Sequence, residues 1–425
     1  MSSPIIYDVA IIGGGAAGMM AAGNVAESGA NIVLIEKNDR LGKKLLITGK
    51  GRCNVTNNDQ DVKSFCDKFG SSGKFLYSSL YQFGVNDVIN FFSKYGVKCK
   101  IERGNRVFPE SDKAQDILNA LIVFLRETSV NILLKSAVKS IKLEKNSIFK
   151  LLIEDGREIV SRRIIICTGG KSYPTTGSNG DGYKWIQDFG HSLVPLKPVL
   201  VSVKTKEKFV KDLQGLSLKN VKISIIQNDR KIDDRFGELL FTSQGLSGPI
   251  VLDLSKRISE LLISGPVKIV LDFKPALDNK SLDLRILRDF KEQANKEYKN
   301  SLSMLLPKKL IPVIIDKSGI NPVKPVNSIT KDERKKLLHL LKEFSLTIDE
   351  VDGFSKAIIT SGGINLKEIT PTSMESKIVK NLFFAGEIID LDGPTGGYNL
   401  QLAWSTARLA ANNCLKGTIN EKGKD

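Results

Sequence analysis

Histidine is nearly absent from this chain, which has only His191 and His339, and its five cysteines (Cys53, Cys66, Cys99, Cys167 and Cys414) are scattered, with no CxxC pair. Neither residue type clusters at the spacing of a structural zinc site, so no metal is expected. An odd number of isolated thiols also argues against a disulfide framework and for a reducing compartment. Long apolar runs are missing as well. The stretch nearest to a leader or membrane segment, residues 9–26, follows Asp8, has no basic residue before it, and is interrupted by glycines and Asn24. It reads as a buried strand and helix, so a cytoplasmic location without membrane contact is expected. The 36 glycines follow no collagen-like period and no solenoid-length repeat is visible, which excludes fibrous and repeat architectures.

What is present suits a large globular protein. Hydrophobic residues make up 41% of the 425 positions, enough for more than one core and too many for a disordered chain. Sixty-three Lys and Arg against 47 Asp and Glu leave a net charge of +16. Residues 191–350 hold 29 basic and 20 acidic side chains, but no extended basic run and no basic-aromatic alternation. That pattern describes a solvated charged surface better than a nucleic-acid face.

The chain opens with a βαβ pattern. Residues 7–12 are a short apolar run leading into Gly13-Gly14-Gly15-Ala16-Ala17-Gly18; small residues continue at helical length to Ser28, with Gly29 as the stop, and a second strand over 31–35 ends in Glu36. Helical patterns follow over 85–95 and 114–128, strand-like text over 131–143 and 147–155, and a strand over 163–167 runs into Thr168-Gly169-Gly170. The texture changes near His191 to short alternating strands. Between 281 and 345 it turns helical, with Leu287, Phe290, Ala294 and Tyr298 on one face and a Thr330/Glu333 capping box ahead of Leu337, Leu338, Leu341 and Phe344. Strand text returns near Phe354, and another apolar strand spans 381–385.

Gly13-x-Gly15-x-x-Gly18 carries the glycines a dinucleotide turn requires: a tight turn, close approach to a pyrophosphate, and close packing of helix on strand, with the helix N-terminus facing the phosphates. The flanking strand and helix, and Glu36 at the end of the next strand to accept from ribose hydroxyls, give the pattern its specificity. An acid there disfavours a 2′-phosphate, leaving NAD or FAD. A second pattern decides between them. Residues 381–387 end in Gly386 and Glu387 and are followed by Gly393-Pro394-Thr395-Gly396-Gly397-Tyr398-Asn399 and a helical run over 400–411. This resembles the second fingerprint of FAD enzymes of the glutathione-reductase superfamily, where an acid, more often Asp than Glu, holds the ribityl chain and a helix N-terminus faces the flavin pyrimidine.

The segment 44–57, KLLITGKGRCNVTN, together with Gly169–Pro174, Thr176–Ser178, Gly180–Tyr183, the Phe241–Pro249 motif, Thr360-x-Gly362-Gly363 and Gly386-Glu387, resembles the BaiN/YhiN family of bacterial FAD flavoproteins. The resemblance covers residues 5 to 412. Its members include reductases of carbon-carbon double bonds in bile-acid intermediates and aminoacetone oxidases. It implies FAD contacts from Gly13, Gly15, Ala16, Ala17, Gly18, Glu36, Lys37 and Lys44, from the loop Gly51, Arg52, Cys53 and Asn54, and from Val138, Thr168 and Gly169. On the distal side it adds Gly386, Glu387, Gly397, Asn399 and Leu400. Arg52 is expected to offset flavin negative charge. Cys53, with no resolving partner, is expected to pack rather than react.

The turn Thr176–Gly182 reads as a lid or pocket wall, because no strand runs directly into its glycines. Tyr173 and Tyr398 are open to either a proton-donor or a structural role. No histidine falls near residues 40–55, so FAD is expected to be non-covalent; His191 is left able to reach the pocket, and His339 is expected at the surface or as core filler.

The fold expected is therefore α/β: a Rossmann-like FAD-binding domain of glutathione-reductase type over 1–192 and 351–425, with an inserted β-barrel-like and helical substrate or cap domain over 193–350 roofing the flavin. The activity expected is hydride transfer between FAD and a small organic substrate, either NAD(P)H-linked reduction of a C=C bond or oxidation of an amine. A flavoenzyme acting on tRNA through the basic insertion and a non-enzymatic flavin redox sensor are the alternatives. No single residue stands out as the catalytic acid.

Overall fold

A computed structural model describes residues 5–416. Its centre is a five-stranded parallel sheet: β1 (Val9–Ile12), β2 (Ile32–Ile35), β3 (Asn131–Leu133), β4 (Ile164–Ile166) and β5 (Leu382–Phe384), in the order β5-β4-β1-β2-β3. Four of these strands are buried at every residue, which is why they read as unbroken apolar runs rather than as alternation. Helix α1 (Ala16–Ala26) follows β1, and helix α3 (Tyr398–Cys414) packs against it. Helix α2 (Asp181–Asp188) lies between β4 and β5 in the chain.

Two expected strands prove to be pairs of strands in different sheets. The run 7–12 divides at Asp8: Ile6–Tyr7 joins Glu158–Ser161 in an antiparallel-rich sheet, while Val9 starts β1. Asp8 accepts from the Asn31 backbone amide at 3.0 Å, tying that junction to the start of β2. The run 131–143 divides likewise. Lys135 takes a left-handed φ of 50°, and the chain leaves β3 to begin the separate strand Val138–Leu143.

The described chain clusters into two compact units, one ending at Pro198 and resuming at Ala357, the other spanning Val199–Lys356, each with its own hydrophobic core. Strands Leu193–Val199 and Ile359–Ile364, next to the two crossings, pair with each other. The second unit is a closed six-stranded barrel with a 16-residue helix, Pro249–Ser264, that sequence texture did not reveal, and a helical subdomain. The Thr330/Glu333 capping box forms as expected, with Leu337 and Leu341 buried below it. The helical face proposed through Leu287 and Tyr298 does not. Helix Asn279–Glu292 buries Leu282, Ile286 and Phe290, leaves Leu287 40% exposed, and ends before Tyr298, which starts another helix. Phe344 is likewise not helical but opens the barrel strand Phe344–Val351.

Candidate functional site

All five strands of the parallel sheet present their C-terminal ends on one edge, and the chain order reverses beside β1, the position where open α/β sheets bind ligands. The loop after β1 holds the three glycines, which have different tasks. Gly13 has φ 106°, and a Cβ there would lie 2.6 Å from the Cys167 carbonyl oxygen; a Cβ on Gly18 would lie 1.7 Å from the Gly13 carbonyl oxygen. Both are required by the protein's own packing. A Cβ on Gly15 meets nothing within 4 Å. Gly15 is also the N-cap of α1 and makes no side-chain cap, so the helix N-terminus opens onto that free space.

Glu36, at the end of β2, is 7% exposed and folds back over this loop. Its Oε2 accepts from the Gly14 amide at 2.6 Å, and its Oε1 from the amide and the side-chain nitrogen of Asn38, both at 2.7 Å. The segment leading to Val138 runs alongside, with the Ser136 amide donating to the Glu36 carbonyl and the Lys135 amide to that of Asn38. Lys37 reaches instead to Asn179 and to Asp181, at 2.7 Å from the latter. Ala16 and Ala17 form the first turn of α1. Thr168 and Gly169 follow β4, and Gly169 has φ 70°.

On the far side of β4, Gly386 follows β5 so closely packed that a Cβ would fall 2.9 Å from the Ala17 methyl, while its amide donates to Thr406 of α3. Glu387 is the centre of a polar cluster. Its Oε2 accepts from Lys44 Nζ at 2.6 Å, and its Oε1 from the Ser172 hydroxyl at 2.6 Å and the Thr360 amide at 2.8 Å. Lys44 also donates to Ser172. Sequence reasoning gave Ser172 and Thr360 no role, although both lie inside motifs that carried the family resemblance.

The loop 48–57 is held in an unusual shape. Gly49, Lys50, Gly51 and Cys53 all have φ between 56° and 83°, a run that two non-glycine residues sustain only under surrounding restraint. The segment that follows is anchored to α3 and the turn before it. Trp404 Nε1 donates to the Val55 carbonyl at 3.0 Å, Thr56 to Gln401 at 2.6 Å, and Asn57 to the Gly396 carbonyl at 3.0 Å. A Cβ on Gly397 would sit 2.3 Å from the Thr56 backbone, so the two motifs interlock. Asn399 braces the intervening turn by bonding both ways with Gly393 at 2.8 Å, and Leu400 lies half-buried beside it.

Arg52 is held from three sides: its guanidinium lies 4.0 Å over the Phe108 ring and is engaged by Glu102 and Asp112. Hydrogen bonds to those two acids raise its pKa further. Cys53 is fully buried, and burial pushes its thiol up to about 12.

His191 does not reach this edge: it is buried with Nδ1 3.2 Å from Glu368 and Nε2 2.9 Å from Ser376. His339 is exposed. The Tyr398 ring packs 4.8 Å from that of Phe65, and Tyr173 is half-exposed with a left-handed φ of 50°. Among the described residues no group of acids, histidines and cysteines is arranged to hold a metal ion, and no helix is long and apolar enough to cross a membrane.

Residues 7–413 match the family described as the HI0933-like protein Rossmann domain. The chain belongs to that family. Among curated relatives, it is 32% identical to the 3-dehydro-bile acid delta(4,6)-reductase of Clostridium scindens, over 95% of this chain and 97% of the relative. It is 29% identical to the ribosomal RNA dihydrouridine synthase of Escherichia coli, over 96% and 98% of the two chains. Among solved structures, the fold is shared with 3-ketosteroid delta1-dehydrogenase from Sterolibacterium denitrificans, at TM-score 0.54 and 13% identity over 96% of this chain and 99% of that one. It is also shared with an open conformation of a flavocytochrome c3 fumarate reductase, at TM-score 0.52 and 17% identity over 98% and 79%.

The edge fits a dinucleotide by its own geometry. Three buried polar atoms in segments around it, Asn54 Oδ1, Thr168 Oγ1 and the Tyr183 hydroxyl, have no hydrogen-bond partner in the chain, a costly condition unless a ligand supplies one. Burial pushes the Tyr183 phenol well above its ordinary pKa, so it stays a neutral donor. Gly15 supplies the open cradle at a helix N-terminus.

Proposed function

We propose that this protein is an FAD-dependent oxidoreductase that holds its cofactor non-covalently and reduces an activated carbon-carbon double bond, drawing electrons from NAD(P)H. The observation that carries this reading is the placement of two acids on opposite sides of the open Gly15 cradle. Glu36 follows β2 and Glu387 follows β5, three strand steps apart or about 14 Å, a span suited to the two sugar portions of a dinucleotide lying across β1. Bound flavin supplies the two-electron hydride chemistry.

The chain's own residues bind and orient. The N-terminus of α1 attracts a pyrophosphate, and Glu36 accepts from a ribose hydroxyl while remaining tied to Gly14. Asn54 Oδ1 and Thr168 Oγ1 offer buried polar contacts along the ring-bearing half. The N-terminus of α3, capped by Gly397 without a side-chain bond, directs partial positive charge to the same region. Reduction of a double bond, rather than amine oxidation, is favoured because the bile-acid relative is named as a reductase across nearly its whole length.

A second reading, reduction of a base in RNA, is favoured by one observation, the +16 charge, taken with the name of the Escherichia coli relative. The test is an anaerobic spectrum. The purified protein should show oxidised flavin that bleaches on adding NADH or NADPH and recovers on adding an α,β-unsaturated ketone steroid. Recovery only with ribosomal RNA transcripts, through binding that weakens steeply with salt, selects the second reading. Absence of any flavin sinks both.

A further inference from the structure

The turn between β4 and α2 belongs to neither nucleotide fingerprint, yet it is fastened to the edge they occupy on two sides. On the β4 side Ser178 Oγ, in the middle of the turn, donates to the Gly170 carbonyl at 2.9 Å. On the β2 side Asn38 Nδ2 donates to the Thr176 carbonyl at 3.1 Å, a Cβ on Gly177 would fall 2.5 Å from that same nitrogen, and Lys37 Nζ is held by Asn179 and, at 2.7 Å, by Asp181. Lys37 and Asn38 follow β2. Because β4 and β2 are the two neighbours of β1, residues 176–181 form a strap from one side to the other of the strand that feeds the Gly13–Gly18 loop.

The strap's own backbone bonds are local. Tyr173, Gly177 and Gly180 all have left-handed φ, at 50°, 101° and 88°, and the backbone bonds within it are the short-range ones of a single turn, from Thr176 to Tyr173, Gly177 to Pro174 and Asn179 to Gly177. The tie to Lys37 is the ionic part of its closure, and that pair is partly exposed, with side-chain accessibilities of 27% and 42%. An ion pair of this kind is weak enough to open thermally and strong enough to bias the equilibrium.

We propose that Asp181 is a positioning residue whose ion pair with Lys37 latches this strap across the dinucleotide site, so that the rate of strap opening governs both entry and exit of the cofactor. The proposal rests on the FAD reading above. A latch that closes the free protein as well as the loaded one slows both directions. Neutralising it therefore speeds both with little change in affinity, a signature that neither a direct cofactor contact nor a general loss of stability produces.

The experiment uses full-length holoprotein and flavin-free protein, with FAD itself as the probe, and follows flavin fluorescence on release and on rebinding. Asp181→Asn should raise both rate constants about fivefold, the upper range for an exposed pair, while Kd moves less than twofold. Because Asp181 also begins α2, Lys37→Met provides a second variant that leaves that helix intact; since Lys37 is among the implied FAD contacts, it is read without flavin, where the Thr176, Gly177 and Asn179 amides should exchange faster than in the wild type. In that assay the double variant should exchange no faster than either single one, and high salt should speed flavin release and rebinding in the wild type but not in Asp181→Asn. A rise in the release rate alone, additive effects in the double variant, or unchanged rates overturn the latch.

Should the wild type bind no FAD at all, it is the cofactor reading that fails, and amide exchange still decides on the latch. The Thr176, Gly177 and Asn179 amides should exchange about fivefold faster in flavin-free Asp181→Asn than in flavin-free wild type. Equal exchange refutes it.

Discussion

Replacing Gly15 by alanine separates what the glycine loop does for the fold from what it does for a ligand. Gly15 has φ −84° and ψ −167°, a region alanine enters freely, and the added methyl meets no protein atom. Alanine is a poorer N-cap than glycine by a few tenths of a kcal/mol or more, while its smaller unfolded-state entropy returns about 0.4–1 kcal/mol. The net effect on stability is within about 0.5 kcal/mol, or about 2 °C in Tm for a unit of this size. The methyl does occupy the space in front of the α1 N-terminus, where an anion gains up to about 2 kcal/mol, so FAD affinity should fall about 30-fold. Gly18→Ala is the control with the opposite profile. Its methyl would lie 1.7 Å from the Gly13 carbonyl oxygen, a backbone atom that cannot step aside, and overpacking of that kind costs about 1–3 kcal/mol or more. Thermal unfolding of the flavin-free proteins and fluorescence titration with FAD measure both quantities. A Gly15→Ala protein that binds FAD like the wild type, or that loses as much stability as Gly18→Ala, refutes the reasoning.

Three further outcomes are expected. Cys53 should resist iodoacetamide in the native protein at pH 8, since burial holds its thiol at about 12; labelling at the rate of a free cysteine contradicts its packing role. Burial lowers the pKa of His191, outweighing its hydrogen bond to Glu368, which raises it. The unfolded chain therefore binds a proton at this site more readily than the folded one, so the contribution is intact above the unfolded value of about 6.5 and is lost as pH falls below it. Urea midpoints of wild type and His191→Asn should converge below pH 6.5, and parallel curves would count against this. Arg52→Met should lower Tm by a few degrees through loss of the Glu102 and Asp112 pairs and the Phe108 stack, while Arg52→Lys recovers only part, because a point charge cannot engage both acids and cover the ring. An Arg52→Met protein of unchanged Tm shows that the network does not fasten the loop.

Some of this architecture was legible residue by residue. The strands β1, β2, β4 and β5 are continuous apolar runs because both sheet faces are covered, and the glycine spacing after β1 follows from packing so close that a Cβ on Gly18 would lie 1.7 Å from the Gly13 carbonyl oxygen. The Thr330/Glu333 box was legible because a cap is made within four residues. Periodicity failed where a second element begins without a change in composition. The stretch through Leu287 and Tyr298 keeps an apolar helical period across the end of one helix, and 131–143 keeps a strand-like texture across two sheets. The helix Pro249–Ser264 escaped notice because it sits among strands of similar composition.

Local sequence by itself determined the dinucleotide-type βαβ opening and the presence of a second acid-and-glycine segment near the C-terminus, because each depends on residues adjacent in the chain. Tertiary structure alone decided which side chains answer one another. Arg52 pairs with Glu102 and Asp112, Lys44 with Glu387 across 343 positions, and Lys37 with Asp181 across 144. A cation's type and position say that it needs a partner. Which anion stands within 3 Å is set by which distant strands and loops the fold brings side by side, and no local pattern encodes that.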